Sequence, residues 1–454
     1  MQCIFITVFT QEKYIDILYL LLESIFIYGN LDDNIHILIY TSTKFMNKIK
    51  ESSLFCGEKI KFEINDTYNT ISQACKARLD IFKLSSIINY NKILYLDTDI
   101  LINDDINKVF NICNTDELYV VEEGSIDSDT NYWGKSLFGT EINKYDDKTA
   151  FSSGILLFNN CDKIKILFDK IVKDMNKRTH FFHDQPFIVY NSFKYNLYNN
   201  KKLKETVTSN HKDNNKIIYH FPGGPSGPGS WNYKLSKMSL FLNESKDSII
   251  NYHITQAKKY INENLLPIIK NSNEPHEGNI FMLHHTTNYT NTFINKAKNI
   301  SNLVLHKNIK NVMEIGFNSG FSALLMLISN PTIKIDCFDL GEHKYTKPCF
   351  DKLKETFGDR INITFGDSNV TLKDINCKYD LIHIDGGHST EVATNDIINS
   401  YRLSKQGTII IMDDYDFGNL HTLWDKYIIE YNLKKLNINL YHSIHHDIKF
   451  VYKS

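Results

Sequence analysis

Apolar and polar positions alternate with two different periods along the first hundred residues. Runs with strand-like spacing fall at residues 3–8, 35–40, 60–64 and 92–96, and helical patterns fall between them at residues 15–28, 43–50 and 72–89. This alternation predicts a parallel sheet with helices on both faces, which binds its ligands at the carboxyl ends of the strands. Asp97 and Asp99 directly follow the last of these strands.

Beyond residue 101 the pattern becomes mixed. It predicts a strand at residues 153–158 and a helix at residues 162–175. Residues 220–229 contain three prolines interleaved with glycines, which is typical of a shaped loop rather than a flexible linker. Residues 240–305 are polar and helical, so we place the boundary there: a first domain at 1–245, a helical linker at 246–274 and a second domain at 275–454.

A second alternation of strands and helices begins near residue 311. Strands are predicted at residues 312–315, 333–338, 361–365, 381–384 and 408–412, and a helix at residues 321–329. Two strand-like runs at residues 437–441 and 448–452 predict a terminal antiparallel hairpin. The expected fold class is therefore α/β, with two Rossmann-like domains, and a chain of 454 residues agrees with two domains.

Composition excludes several function classes. Hydrophobic residues make up 42% and charged residues 23%, as in ordinary globular proteins. The net charge of -2, without a basic stripe, argues against nucleic-acid binding. Eight cysteines without Cys-x-x-Cys spacing favour reduced thiols in a cytoplasmic protein. The most apolar stretch, residues 15–28, is too short for a membrane span. The sequence does not decide whether the chain forms a homodimer.

Asp97 and Asp99 end an apolar strand as two carboxylates one residue apart. A nucleotide sugar carries a pyrophosphate whose charge a divalent cation neutralises, and such cations prefer oxygen ligands. The pair therefore indicates a metal-held sugar nucleotide. Taken alone, the same spacing also fits a simple helix cap.

Further segments follow in a fixed order: residues 77–80, residues 151–159 around Gly154, the run His183-Asp184-Gln185-Pro186, and residues 218–224. This order resembles glycosyltransferases of the GT-A fold, especially family 8. The resemblance implies a Mn²⁺ or Mg²⁺ ion and a donor that is a UDP-sugar or another nucleoside diphosphate sugar. It also implies ligand and donor residues: Asp97, Asp99 and His220 on the metal, Arg78 on the donor, Asp184 and Gln185 at the reaction centre, and Thr7 and Val8 at the base.

Two departures from the family pattern leave the donor and the stereochemical outcome open. Ser152 and Ser153 replace an asparagine before Gly154, and the usual lysine after the histidine is missing unless Lys234 substitutes. Alternative readings of single residues are a loop histidine at His220, a surface arginine at Arg78 and a helix cap at Asp184.

The second half contains a strand that runs into a glycine turn and then a helix. Glu314, Gly316 and Gly320 form Glu-x-Gly-x-x-x-Gly, in which the glycines allow a ligand to approach the backbone closely. The acid is unsuited to a pyrophosphate and favours a cationic ligand, which indicates S-adenosylmethionine rather than NAD. Asp339 is expected to accept the ribose hydroxyls, and Asp367 and Ser368 to meet the adenine.

Residues 275–454 resemble class I methyltransferases, most closely the small-molecule and sugar O-methyltransferases. The expected cofactor residues are Glu314, Gly316, Ser319, Gly320, Asp339, Asp367, Ser368 and Asp385. Asp385, Asp413 and Asp414 leave neighbouring strand ends, and their mutual repulsion predicts a bound Mg²⁺ ion. His388 is the candidate general base because its ordinary pKa suits proton removal near neutrality.

Alternative readings remain for this half as well. Asp413 and Asp414 could cap the helix that follows, and His388 could be a histidine at a helix entry. His445 and His446 are expected to be surface residues of a strand.

The combined hypothesis is a bifunctional enzyme that transfers a sugar to a glycan acceptor and methylates a sugar hydroxyl. The alternative is a methyltransferase whose first half is a non-catalytic glycan-binding module. A scaffold protein with two inactive enzyme folds is a further alternative.

Overall fold

The computed structural model describes residues 1–145, 149–209, 215–222 and 230–453. The chain divides into two compact units. The first consists of Met1–Lys50 and Phe55–Leu242, and the second of Glu51–Leu54 and Asn243–Ser454. Each unit contains its own seven-stranded sheet with helices, so the predicted α/β fold class is confirmed.

The first unit holds ten strands and seven complete α-helices among its described residues. The strands are β1 Gln2–Val8, β2 Ile35–Thr41, β3 Ile60–Ile64, β4 Lys92–Leu96, β5 Ile100–Ile102, β6 Leu118–Ser125, β7 Thr149–Asn159, β8 Tyr198–Asn199, β9 Val207–Ser209 and β10 Ile218–His220. The helices are α1 Lys13–Tyr28, α2 Thr43–Lys50, α3 Ile71–Lys76, α4 Asn107–Phe110, α5 Lys135–Phe138, α6 Asp162–Lys177 and α7 Gln185–Tyr195. The next helix, α8 Ser230–Tyr260, contains the division at Leu242.

The large sheet of the first unit has the order β3-β2-β1-β4-β7-β6-β8. Strands β3, β2, β1 and β4 are parallel, whereas β7 runs antiparallel to both β4 and β6. The strands β1, β2 and β4 are nearly all buried, as expected of parallel strands covered on both faces. A smaller sheet, β5-β10-β9, continues from the end of β4 and brings His220 beside Ile100.

The helix predicted over residues 72–89 is wrong in detail. The helix α3 ends at Lys76 and is followed by two 3₁₀ helices, Ala77–Lys83 and Ser85–Asn89, separated by Leu84 in an extended conformation. The second of these contains two serines and two adjacent isoleucines, which are only moderate helix formers. The first 3₁₀ helix starts at Ala77, and the side chain of the next residue, Arg78, is largely buried.

The second unit contains π-helical Ile261–Leu265 and the helices α9 Leu266–Ser272, α10 Ile294–Val304, α11 Phe321–Ser329, α12 Thr346–Phe357, α13 Ser368–Thr371, α14 Thr390–Arg402 and α15 Leu420–Glu430. Its strands are β11 Asn311–Ile315, β12 Lys334–Asp339, β13 Ile361–Phe365, β14 Tyr379–Ile384, β15 Ser404–Met412, β16 Lys434–Lys435 and β17 Asp447–Phe450. The sheet order is β13-β12-β11-β14-β15-β17-β16, and its first five strands are parallel. The carboxyl ends of these five strands therefore share one edge.

The terminal antiparallel hairpin is confirmed, but one of its predicted strands is wrong. β17 pairs with β15 and with β16, whereas residues 437–441 form no strand. The backbone carbonyls of Asn439 and Tyr441 instead accept hydrogen bonds from Asn302 and Asn299 of α10. Amide side chains on a helix thus take the place of a sheet partner, which the apolar pattern of the run could not reveal.

The described helices include none that combines the length and the apolar character needed to cross a membrane. Of the predicted proline- and glycine-containing loop, residues 223–229 lie outside the described residues. Residues 246–274, expected to be a linker, form the rest of α8, the π-helical segment and α9 within the second unit.

The buried His306 gives a prediction for the stability of the second unit. Burial, together with the nearby charge of Lys246, lowers the pKa of its imidazole to about 3. In the unfolded chain a histidine titrates near 6.5, so below that pH the unfolded state binds a proton that the folded state does not. Each further pH unit should cost the folded state about 1.4 kcal/mol.

Between pH 6.5 and 5.0 the wild-type chain should therefore lose about 2 kcal/mol more stability than His306→Gln, measured by urea unfolding. The exposed His421→Gln variant is the control and should follow the wild-type chain. An identical pH dependence of His306→Gln and wild type would contradict a buried, uncharged imidazole.

Candidate active sites

The first candidate site lies at the carboxyl end of β4. The amide of Asp97 donates to the carbonyl of Gly154 on β7 at 2.8 Å. A side chain at position 154 would place its Cβ atom 3.0 Å from Asp97 Oδ2 and 3.0 Å from His220 Nε2. Only glycine leaves this gap between the carboxylate and the imidazole. We call Asp97, Asp99 and His220 the β4 site.

Asp99 has one free ligand atom in the β4 site. Its Oδ2 accepts a hydrogen bond from Lys234 Nζ at 2.5 Å. Its Oδ1 is buried without a hydrogen-bond partner among the described residues and lies 3.7 Å from His220 Nε2. Burial would raise the pKa of this carboxyl, but the charges of Lys234 and His220 lower it below its usual value. Two carboxylates and an imidazole around a gap are a donor set that fits Mn²⁺ or Mg²⁺.

Arg78 is a buried member of the same site, and not a surface residue. Its Nε lies 3.0 Å from Asp184 Oδ2, and its Nη1 lies 3.3 Å from Asp97 Oδ1. The guanidinium also covers the ring of Tyr95 at 4.7 Å. Burial alone would lower the pKa of Arg78, but the two carboxylates raise it well above its ordinary value. Arg78 is therefore a fixed positive charge that connects Asp97 with Asp184.

The start of α7 supplies the second wall of this site. Asp184 occupies the N-cap position of α7 but makes no capping hydrogen bond, and its carboxylate faces Arg78 instead. Gln185 Oε1 accepts hydrogen bonds from Ser153 Oγ at 3.1 Å and from the Ser153 amide at 3.3 Å. The Ser153 carbonyl in turn accepts from Arg78 at 2.5 Å. Ser153, noted in the sequence only as a departure from the family pattern, links Arg78 to Gln185.

Thr7 and Val8 are the last residues of β1, which lies beside β4. They differ in whether their polar groups contact the β4 site. Thr7 Oγ1 lies 3.3 Å from the hydroxyl of Tyr95, which donates a hydrogen bond to Asp97. The carbonyl of Val8 already accepts from Thr41 Oγ1 at 2.6 Å. Thr7 is thus connected to the β4 site, whereas the Val8 carbonyl is used within the sheet.

The second candidate site is a cavity of about 690 Å³ at the carboxyl edge of the second sheet. Its volume lies in the range of small-molecule and cofactor sites. The predicted residues that line it are Gly316, Ser319, Asp339, Asp367, Ser368, Asp385, His388 and Asp414. Of the remaining predicted residues of this half, Glu314, Gly320 and Asp413 do not line it.

The turn after β11 shapes one wall of the cavity. Gly316 has a φ of +89°, and a Cβ there would lie 1.9 Å from the carbonyl oxygen of Asp385. Asp339 Oδ2 accepts from the amides of Phe317 at 2.9 Å and Asn318 at 2.8 Å. Asp339 therefore holds the glycine turn while it faces the cavity. Asp367, which also lines the cavity, caps α13 through its carboxylate.

Glu314 does not face the cavity as the sequence reasoning expects. It is fully buried, and its Oε1 lies 3.1 Å from His383 Nδ1. Burial would lower the pKa of His383, but hydrogen bonds to Asp413 and Glu314 raise it to about 10. His383 therefore lies buried between Glu314 and Asp413, whose Oδ2 lies 3.5 Å from His383 Nε2.

Asp413 and Asp414 meet a lysine that the sequence analysis did not single out. The ammonium of Lys296 contacts Asp413 Oδ1 and lies 3.2 Å from Asp414 Oδ1. Lys296 is buried on α10 and lines the cavity. The sequence did contain a signal, because Lys296 lies on the same helix face as Ile300, four residues later.

The predicted Mg²⁺ ion stays a prediction in the second unit, where the ammonium of one lysine already lies between the carboxylates of Asp413 and Asp414. His446 also corrects an expectation, since it is buried and its Nε2 lies 3.2 Å from Asp413 Oδ1. The Lys296 ammonium offsets part of the repulsion between these carboxylates. Asp385 differs from its neighbours, since burial and the charge of Asp413 raise its pKa well above the usual value.

His388 lies at the cavity beside Asp414. Its Nε2 is 3.2 Å from Asp414 Oδ2. The hydrogen bond to Asp414 raises the pKa of His388 above 6.5, although partial burial opposes this. An imidazole that is paired through Nε2 retains Nδ1 as a site for a proton.

Two family models match this chain. Residues 24–234 match the model described as glycosyl transferase family 8, and residues 313–415 match the model described as methyltransferase domain. These matches confirm the predicted resemblance to family 8 glycosyltransferases in the first half and to methyltransferases in the second. No curated protein matches the chain.

Similar solved structures include a WbbM bifunctional glycosyltransferase, with 15% identity and a TM-score of 0.39, which covers 53% of this chain. This chain spans about half of that protein, 51%. The galactosyltransferase LgtC, in complex with donor and acceptor sugar analogues, has 15% identity and a TM-score of 0.39, covering 54% of this chain and 96% of its own. The SAH-bound Podospora anserina methyltransferase PaMTH1 has 16% identity and a TM-score of 0.30, covering 36% and 80% respectively.

The gap at Gly154 gives a direct prediction. The Gly154→Ala variant would place a methyl group 3.0 Å from both Asp97 Oδ2 and His220 Nε2, so these groups must separate. Calorimetric titration with MnCl₂ should show an affinity weaker by roughly tenfold or more, equivalent to about 1.4 kcal/mol.

The matched control is Gly57→Ala, whose added carbon would meet only the Phe55 ring at 3.6 Å, an ordinary contact. It should bind Mn²⁺ as the wild-type chain does. Unchanged Mn²⁺ binding by a folded Gly154→Ala variant would rule out an ion between these two side chains.

Proposed function

We propose that this chain is a bifunctional enzyme that transfers a sugar from a nucleoside diphosphate donor and methylates a sugar hydroxyl with S-adenosylmethionine. The observation that carries the proposal is the gathering of polar groups at the carboxyl edge of each sheet. In the first unit these groups are the β4 site with Arg78 and Asp184, and in the second they line the 690 Å³ cavity. The two family matches support the two reaction classes.

For sugar transfer, Asp97, Asp99 and His220 would hold the Mn²⁺ or Mg²⁺ ion. The ion would supply positive charge to the donor pyrophosphate. Arg78 keeps the Asp97 and Asp184 carboxylates in place through its two ion pairs.

Other groups around the β4 site would position the donor. Lys234, which pairs with Asp99, adds positive charge where the family's usual lysine is missing. Asp184 and Gln185 would line the donor sugar, and Thr7 would meet the base. The acceptor is a glycan or a smaller sugar.

For methyl transfer, S-adenosylmethionine in the cavity would supply an electrophilic methyl group. The turn at Gly316 and Ser319 would contact its amino acid part, Asp339 its ribose, and Asp367 with Ser368 its adenine. Ser319 is held by His276, whose Nε2 lies 3.1 Å from Ser319 Oγ. His388 would take the proton of the acceptor hydroxyl at Nδ1, while Asp414 accepts a hydrogen bond from Nε2.

The presence of both units in one chain favours a reaction order in which the second unit uses the product of the first. A second active site in the same chain raises the effective concentration of that site around the product of the first. We therefore propose that the methylated hydroxyl belongs to the sugar product of the first unit.

The reciprocal test uses one variant in each unit as the control for the other. Incubation with a panel of UDP- and GDP-sugars, Mn²⁺ and S-adenosylmethionine, followed by mass spectrometry, should show consumption of one donor and a gain of one methyl group on the product. The double substitution of Asp97 and Asp99 by Asn should lower sugar transfer by about 100-fold or more and leave methylation of a supplied acceptor intact.

Asp339→Asn should have the opposite effect, with weakened S-adenosylmethionine binding and unchanged sugar transfer. Sugar transfer that survives the double substitution would contradict the role of the β4 site. If no sugar panel member is transferred by the wild-type chain while methylation proceeds, the first unit is a glycan-binding module.

The pairing of His388 with Asp414 predicts a pH profile for methylation. His388 must be uncharged to accept a proton, and Asp414 raises its pKa above 6.5, so kcat/KM should fall as the pH drops through that raised value. Asp414→Asn should move this acidic limb to lower pH.

Measurement of kcat/KM between about pH 5.5 and 9 compares the variant with the wild type. Glu391→Gln, an exposed acid three residues from His388 in sequence, is the control and should leave the limb in place. A limb that does not move in Asp414→Asn would show that His388 is not the base.

A further inference from the structure

The position of Lys296 bears on how the methylation site handles its negative charges. Lys296 projects from α10 into the cavity, and its ammonium contacts both Asp413 and Asp414. It is the cationic group that these two carboxylates share. A divalent ion bound to the same oxygens would lie against this ammonium, and two cations at that separation repel.

The surroundings of Asp413 hold Lys296 in this place. Asp413 is buried, and His383 and His446 approach it at 3.5 Å and 3.2 Å. Glu314 fixes His383 from the opposite side at 3.1 Å. Three groups of the chain thus surround the Asp413 carboxylate, and its Oδ2 has no hydrogen-bond partner among the described residues.

One competing arrangement uses the same residues. His383, Asp413 and His446 offer ligand atoms that all lie within 4.8 Å of one another, as a buried metal site would. However, Asp413 Oδ1 is already in contact with the Lys296 ammonium, and His383 Nδ1 lies 3.1 Å from Glu314 Oε1. The cavity-facing position of Lys296 favours a fixed ammonium over an ion at this point.

We infer that Lys296 takes the place of a metal ion in the methylation site, so that methyl transfer proceeds without a divalent cation. This inference rests on the methyl transfer proposed above. The ammonium donates a hydrogen bond to the acceptor oxygen and stabilises the negative charge that develops on it. Lys296 thus touches the substrate and is a catalytic residue.

The step balances with the groups already named. The acceptor oxygen forms the new bond to the methyl carbon while the bond between that carbon and sulfur breaks, and the electron pair of the broken bond stays on sulfur. The hydroxyl proton passes to His388 Nδ1. Lys296 keeps its own protons throughout.

The replacement of a metal ion by Lys296 changes which sugar acceptors the site can orient. A metal ion that orients a sugar needs two neighbouring hydroxyl oxygens, whereas a lysine ammonium needs only one. The site should therefore methylate sugars that carry an isolated hydroxyl, for example deoxy sugars that lack the neighbouring group.

The first test is independent of activity. Calorimetric titration with MnCl₂ should give one bound ion per wild-type chain, and none after the double substitution of Asp97 and Asp99 by Asn. In that double variant, the further change Lys296→Ala should restore one site, because Asp413 and Asp414 lose their cation. Lys298→Ala, on the same helix but over the Tyr441 ring, is the control and should restore none.

Binding of one Mn²⁺ by the double variant with Lys296 intact, and its loss on Asp413→Asn, would overturn the inference. This comparison does not depend on whether Lys296→Ala folds.

The second test compares both activities of one sample treated with EDTA. Sugar transfer should be lost and recover with Mn²⁺, while methylation should stay within about twofold of its untreated rate. Lys296→Met should lose methylation, and Lys296→Arg should recover part of it, with S-adenosylmethionine binding kept in both. Methylation that is lost with EDTA and restored by Mg²⁺ would overturn the inference alone. A chain that binds S-adenosylmethionine but methylates no sugar, with or without Mg²⁺, would overturn the proposed function as well.

Discussion

Carboxylates gathered at the ends of parallel strands must have their charge offset, and this constraint shapes both units. Parallel strands present their carboxyl ends at one edge, so acids that follow neighbouring strands approach one another in a partly buried setting. Each such group must pair with a cation, bind an ion or take up a proton. Asp97 pairs with Arg78, Asp99 Oδ1 has no hydrogen-bond partner among the described residues, and the pKa of Asp385 is raised.

The carboxyl edges of the two sheets differ in whether their carboxylate oxygens are already in contact with a side-chain cation. In the first unit, glycine at position 154 keeps a gap between Asp97 and His220, and beside it Asp99 Oδ1 has no hydrogen-bond partner within the described ranges. In the second unit, Lys296 fills the corresponding role between Asp413 and Asp414. We therefore propose that the same residue type at the same kind of strand end binds an external cation in one site and a lysine ammonium in the other.

The sequence predicted what depends on local pattern. Strand ends, the glycine turn at Gly316 and the acids Asp97, Asp99, Asp339 and Asp385 follow from periodicity and spacing, and they lie at the expected edges. What it missed depends on contacts between distant segments. Glu314 pairs with His383 rather than facing the cavity, and His446 is buried against Asp413, because long-range packing decides both. Lys296 lies more than a hundred residues before Asp413, so no spacing rule connects them.

The position of bound manganese in the whole chain distinguishes the two sites. A crystal grown with MnCl₂, UDP and S-adenosylmethionine, measured by anomalous scattering at the manganese edge, would locate every bound ion at once. We expect a manganese peak between Asp97, Asp99 and His220. At Asp413 and Asp414 we expect the Lys296 ammonium and no manganese. A manganese ion on Asp413 with Lys296 displaced, or an empty gap at Gly154, would contradict these expectations.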